Sequence, residues 1–262
     1  MKHIKTVAFI LLYLVIYYVF QLIDVIVIGV QAAFKGITSQ SDLDKYLDEN
    51  TAKVLIPAII ISFLLYFLIL KAREKNIFEI CKIKKIRIKN ILLIIAITAG
   101  YSLVLSAISV YVLKYFPSYS ETQKTISGTM GSIIGIFAVI ILAPIFEEIL
   151  FRGIILSEIR ENLKVIPAVI IQGVTFGVYH MNMFQGIYAG ILGLILGYVC
   201  VKTRSISSSI TAHITFNICG TFVFPILIYF TPRLSPMYIA LGVMIFSISM
   251  FYFNRSTLSS DK

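Results

Sequence analysis

GSIIGIFAVIILAPIFEEILFRGIILS, residues 131–157, is an apolar run interrupted by only three charged side chains, Glu147, Glu148 and Arg152. As a helix it reaches about 40 Å at 1.5 Å per residue, more than the roughly 30 Å of a bilayer's hydrocarbon core. It reads as a membrane-spanning helix. A strand is excluded because an open strand in hydrocarbon leaves its backbone N–H and C=O groups unpaired. Similar apolar blocks recur at about 6–30, 54–70, 90–113, 165–182, 186–201, 206–229 and 236–253. The fold class is therefore all-α, a polytopic membrane bundle of about eight transmembrane helices.

Composition agrees. The chain has 262 residues, 58% of them hydrophobic and only 14% charged, against about 25% charged in an ordinary globular domain. So few polar residues cannot coat a water-facing shell. The run Val7–Val30 follows a basic start, as in a signal peptide, but is about twice as long as a signal core, and is read as a retained first helix. The three cysteines, Cys81, Cys200 and Cys219, share no metal-ligand spacing and read as small packing residues.

Lys and Arg number 23 against 13 Asp and Glu. Nucleic acid is not the inferred partner, because eight of the 23 fall in one connector, Lys71 to Lys89, between two apolar blocks. With the N-terminus inside, sixteen basic residues lie in inward loops, Lys262 among them, and six in outward loops. That bias places both termini on the cytoplasmic side of a multi-pass cell-membrane protein. The acidic segment Asp42, Asp44, Asp48 and Glu49 then falls in an outward loop. The connector interleaves Ile83, Ile86 and Ile88 with its basic residues; it reads either as a solvated positive-inside loop or as a segment lying on an anionic leaflet. Gly186, Gly190, Gly193 and Gly197 give one face of their block a small-residue surface suited to close helix packing. Along the chain we expect N-terminal transmembrane helices in 1–130 with a basic cytoplasmic loop at 71–89. A middle region at 131–222 follows, then a C-terminal helix and tail at 223–262.

Ionisable groups inside a span cost at least about 2.5 kcal/mol each on insertion scales, so their clustering points to function. Glu148 and Arg152 are four residues apart, Glu first, the favoured order for an ion pair, and read as a buried staple. Glu147 is turned about 100° away from Glu148, and no basic residue stands three or four positions from it. A buried carboxylate so placed is expected to titrate high enough to exchange a proton near neutral pH. His180 lies in the fifth block with Phe176 one turn before it, and His213 and Asn217 share one face of the seventh. Each histidine alone fits an interhelical hydrogen bond. Together, a carboxylate, two imidazoles and an amide can position a water, take its proton and stabilise an oxyanion, which amide hydrolysis requires. A proton-coupled transporter also uses buried carboxylates and histidines.

Three motifs follow one another: EExxxR at Glu147-Glu148-Ile149-Leu150-Phe151-Arg152, FxxxH at Phe176 to His180, and HxxxN at His213 to Asn217. In this the sequence resembles the CAAX protease and bacteriocin-processing (Abi) family of intramembrane endopeptidases, over about residues 131–222. The resemblance implies a membrane peptidase that cleaves hydrophobic or membrane-associated peptides. It implies that Glu147 and His180 activate water and that His213 and Asn217 stabilise the oxyanion, with Glu148, Arg152 and Phe176 in support. It also extends to scaffold and bacteriocin-immunity proteins of the same fold. Zinc on His180, His213 and Glu147 is an alternative agent, but HExxH is absent and an amide suits an oxyanion site better than a metal shell. A glutamate-dependent, metal-free reaction is therefore the favoured expectation.

Overall fold

The computed structural model describes residues 2–258; Lys262 lies outside the described residues. No strand occurs among them. The helices are α1 (Lys2–Phe34), α2 (Gln40–Ala72), α3 (Ile77–Ile80), α4 (Ile88–Val112) and α5 (Tyr119–Thr129). After them come α6 (Ile133–Arg160), α7 (Val165–Tyr179), α8 (Met183–Thr203), α9 (Ile206–Phe230) and α10 (Ser235–Leu258). Among the described residues seven helices are long and apolar enough to cross a membrane: α1, α2, α4, α6, α8, α9 and α10. The remaining expected span is α7, whose 15 residues reach about 22 Å, short of a full hydrocarbon core.

The helices form two compact units. The first comprises the described residues up to Ile80 together with Ser120–Lys164. Here α1 lies along α2 and turns much of its surface outward: Leu11, Val15, Leu22 and Ile26 are all exposed, as suits a helix facing hydrocarbon. Its buried side carries Tyr13 and Tyr17. Tyr66 of α2 stacks edge-on to Tyr13 at 5.3 Å and donates its hydroxyl to the Tyr13 carbonyl at 2.6 Å, so a buried phenol is satisfied. The acidic segment is not a loop. It forms the first turns of α2, where the hydroxyl of Ser39 accepts the amide of Asp42 at 3.1 Å as an N-cap.

An ionic latch joins the far end of α2 to the end of α6. Arg73 donates to both carboxylate oxygens of Glu158, at 2.6 and 3.1 Å, and Lys75 donates to Glu158 at 2.9 Å and also to Glu161. The Arg73 guanidinium also covers the ring of Phe9 at 3.4 Å and donates to the Tyr13 hydroxyl at 3.0 Å. Burial works against the charge on Arg73 and Lys75, yet both titrate above their ordinary values because the carboxylates they bond to outweigh it.

The second unit comprises Cys81–Tyr119 and the described residues from Val165 onward. Here α4 packs along α10 through Gly100 and Gly242; a Cβ on Gly100 would stand 2.8 Å from the Phe246 nitrogen. The glycine face of α8 meets α7 in the same way. A Cβ on Gly177 would come within 2.5 Å of the Gly186 carbonyl oxygen, and one on Gly193 within 2.9 Å of the Gly173 Cα. Backbones this close require glycine.

Candidate active site

In the first unit the EExxxR motif occupies a helix of mixed winding. The α-helical turn Ala143–Glu148 lies between two π-helical segments, Ala138–Leu142 and Ile149–Ile155. The amide of Ala143 bonds five residues back to Ala138, and that of Leu156 to Phe151. Pro144 gives the first segment a cause: it has no N–H, and its ring crowds the carbonyl four residues back, at Ile140. A third π-helical segment, Cys219–Val223, follows the HxxxN motif, with Pro225 just beyond it. Every π-helical segment among the described residues thus overlaps a motif or lies within about five positions of one. Such local rewinding is concentrated at functional sites.

Glu148 and Arg152 form the staple that their spacing implies. Arg152 Nη1 donates to Glu148 Oε1 at 2.8 Å, and neither side chain retains any exposed surface. Phe146, just before the pair, is packed by Tyr17 at 4.9 Å and Tyr66 at 5.9 Å between ring centroids. Glu147 faces away and is half-buried, within electrostatic reach of the Tyr18 phenol on α1.

In the second unit Phe176 organises both histidines. Its ring is wholly buried and stands edge-on to His180, with centroids 4.8 Å apart at 88°, and edge-on to His213, at 5.7 Å and 90°. His180 is at the end of α7, where the chain turns through Met181 at φ 53°. Its Nδ1 lies 2.8 Å from the Phe176 carbonyl oxygen. A carbonyl only accepts, so Nδ1 carries a proton and, in the neutral ring, Nε2 is the basic nitrogen. His213 is buried at 4% exposure, while His180 and Asn217 are half-buried.

Phe216, between His213 and Asn217, is held in turn. Tyr101 of α4 stacks on it at 5.6 Å and 20°, and Tyr188 of α8 lies 6.2 Å away. The Tyr101 hydroxyl donates to the Tyr188 carbonyl at 2.8 Å, which ties three helices around the HxxxN turn. Tyr18, Tyr101 and Tyr188 had no signal in the sequence, since each earns its place only by tertiary contact. The structure gathers Phe176, His180 and His213 within one unit, with Asn217 a turn along from His213, and Glu148 with Arg152 within the other. Among the described residues no group of three or more His, Cys, Asp or Glu is placed to hold a metal ion.

Comparison with known proteins adds two findings. Residues 129–219 match the family described as type II CAAX prenyl endopeptidase Rce1-like, a span that contains all three motifs. A 77-residue segment, 29% of the chain, is 31% identical to the protein named "Putative membrane peptidase YdiL" of Bacillus subtilis (strain 168). The match spans 32% of that relative's length. No solved structure matches the chain. Over residues 129–219 this multi-pass membrane protein is thus similar to the type II CAAX prenyl endopeptidase Rce1-like family.

Proposed function

We propose that the protein is an intramembrane endopeptidase that hydrolyses hydrophobic or membrane-associated peptides, with Glu147 as its proton-transfer group. The observation that carries the reading is the pair of histidines set on one buried phenylalanine, with the Nδ1 proton of His180 fixed by a backbone carbonyl. That arrangement leaves Nε2 as a basic nitrogen of defined direction, which water activation needs and a packing histidine does not.

The chemistry assigns one role to each group. The Glu147 carboxylate takes a proton from water as the water oxygen attacks the scissile carbonyl. His180 Nε2 accepts the second water hydrogen bond and so orients the attack. His213 and Asn217 donate to the oxyanion of the tetrahedral intermediate. When that intermediate collapses, the C–N bond breaks and protonated Glu147 returns its proton to the leaving amine. No step runs through a metal.

Purified protein tests the assignment. His180→Ala is expected to abolish cleavage, because the water loses its second anchor, and Asn217→Ala to slow it by roughly 10²- to 10³-fold, the usual loss for one oxyanion donor. Wild-type activity should survive chelator. If it vanishes with chelator and returns with zinc, the glutamate mechanism is wrong; if no variant changes the rate, these residues are not the site.

A further inference from the structure

We propose that residues 82–89 form a docking surface for an anionic lipid leaflet. The structure divides the connector that the sequence presents as one basic loop. In its first part Arg73 and Lys75 turn inward to Glu158 and Glu161, so their charge is neutralised within the protein. The second part, Lys82-Ile83-Lys84-Lys85-Ile86-Arg87-Ile88-Lys89, contains five basic residues and no acidic one. All five are exposed, and among the described residues none is held in an ion pair.

The isoleucines separate a lipid surface from a solvated loop. Ile83 is 77% exposed and Ile88 73%, outside or at the very start of a spanning helix, where water is the alternative surroundings. A loop built for water has no use for large aliphatic side chains at that exposure. Aliphatic residues interleaved with lysine and arginine match the boundary between headgroups and acyl chains, where the former bury and the latter meet phosphate. An acidic protein or a nucleic acid would engage the cations but leave the isoleucines unmatched.

The backbone of this strap is also prepared for a less polar setting. The amide of Lys84 donates to the Ser205 hydroxyl oxygen at 3.0 Å, that hydroxyl donates to the Lys84 carbonyl at 3.1 Å, and the amide of Ile206 donates to the Lys82 carbonyl at 2.9 Å. The strap is thereby fixed to the first residues of α9 and sits at the level where α4 and α9 begin, the ends of two spans. Leaflet contact would hold the start of α9 at one depth.

The chain contains no tryptophan, so Ile83→Trp supplies a single fluorescent reporter. The full-length variant is placed in phosphatidylcholine vesicles with or without phosphatidylglycerol, each carrying lipids brominated near the carbonyl end of the acyl chain. Emission should be blue-shifted, and bromine quenching about twofold stronger with the anionic lipid, the excess disappearing in high salt. Adding Lys82→Gln, Lys84→Gln and Lys85→Gln to the reporter should remove the dependence on phosphatidylglycerol while the helical circular dichroism is unchanged. Red-shifted emission, open to aqueous iodide and indifferent to brominated lipid, would overturn the proposal. Equal quenching with and without phosphatidylglycerol would overturn the preference for anionic lipid.

Discussion

The Glu148–Arg152 pair is closed off from solvent on both sides, with 2.8 Å between Nη1 and Oε1. Removing one member leaves the other charged in a dry setting, a loss of about 3–5 kcal/mol. Arg152→Ala should therefore lower both the yield of folded protein and its melting temperature in detergent. A variant that accumulates and melts as wild type yet loses activity would move Arg152 from the scaffold to the chemistry. This pair was legible because four residues of helix bring both ends to one face. Phe176 was legible only in part: its spacing to His180 placed a ring beside that histidine, but nothing in a linear pattern links it to His213, 37 positions on. The same holds for the Tyr101 and Tyr188 rings around Phe216, where the partners come from three separate helices.

Helices were legible where hydrophobicity alone defines them, and less so where polar chemistry extends or bends them. The apolar part of α2 begins near Val54, yet the helix starts at Gln40, because the Ser39 cap and the helical propensity of the following residues carry it through a polar stretch. Ser39 and Asp42 were the available signals. The π-helical segments escape a periodicity argument built on 3.6 residues per turn; Pro144 and Pro225 mark two of them, and the third, Ile149–Ile155, has no such marker. The latch between Arg73 and Glu158 crosses 85 positions. Charge counting along the sequence sees both residues as loop and helix-end charges and cannot see that they neutralise each other.

For the molecule as a whole, the membrane class followed from composition and block length, while the two compact units did not, because the chain enters each unit twice. Orientation rests on sixteen basic residues against six and is expected to place both termini in the cytoplasm. Reporters fused after Lys45 and after Lys84 should face opposite sides of the membrane; the same side for both would refute that topology. Peptide-bond hydrolysis by this chain turns on Glu147 as the proposed proton carrier. Glu147→Gln keeps the size and hydrogen-bonding shape of the side chain but cannot accept a proton from water. The direct measurement is cleavage of hydrophobic peptides by purified full-length wild type and Glu147→Gln, matched for melting temperature. Cleavage by wild type alone is the predicted result, and cleavage by Glu147→Gln at the wild-type rate would contradict it.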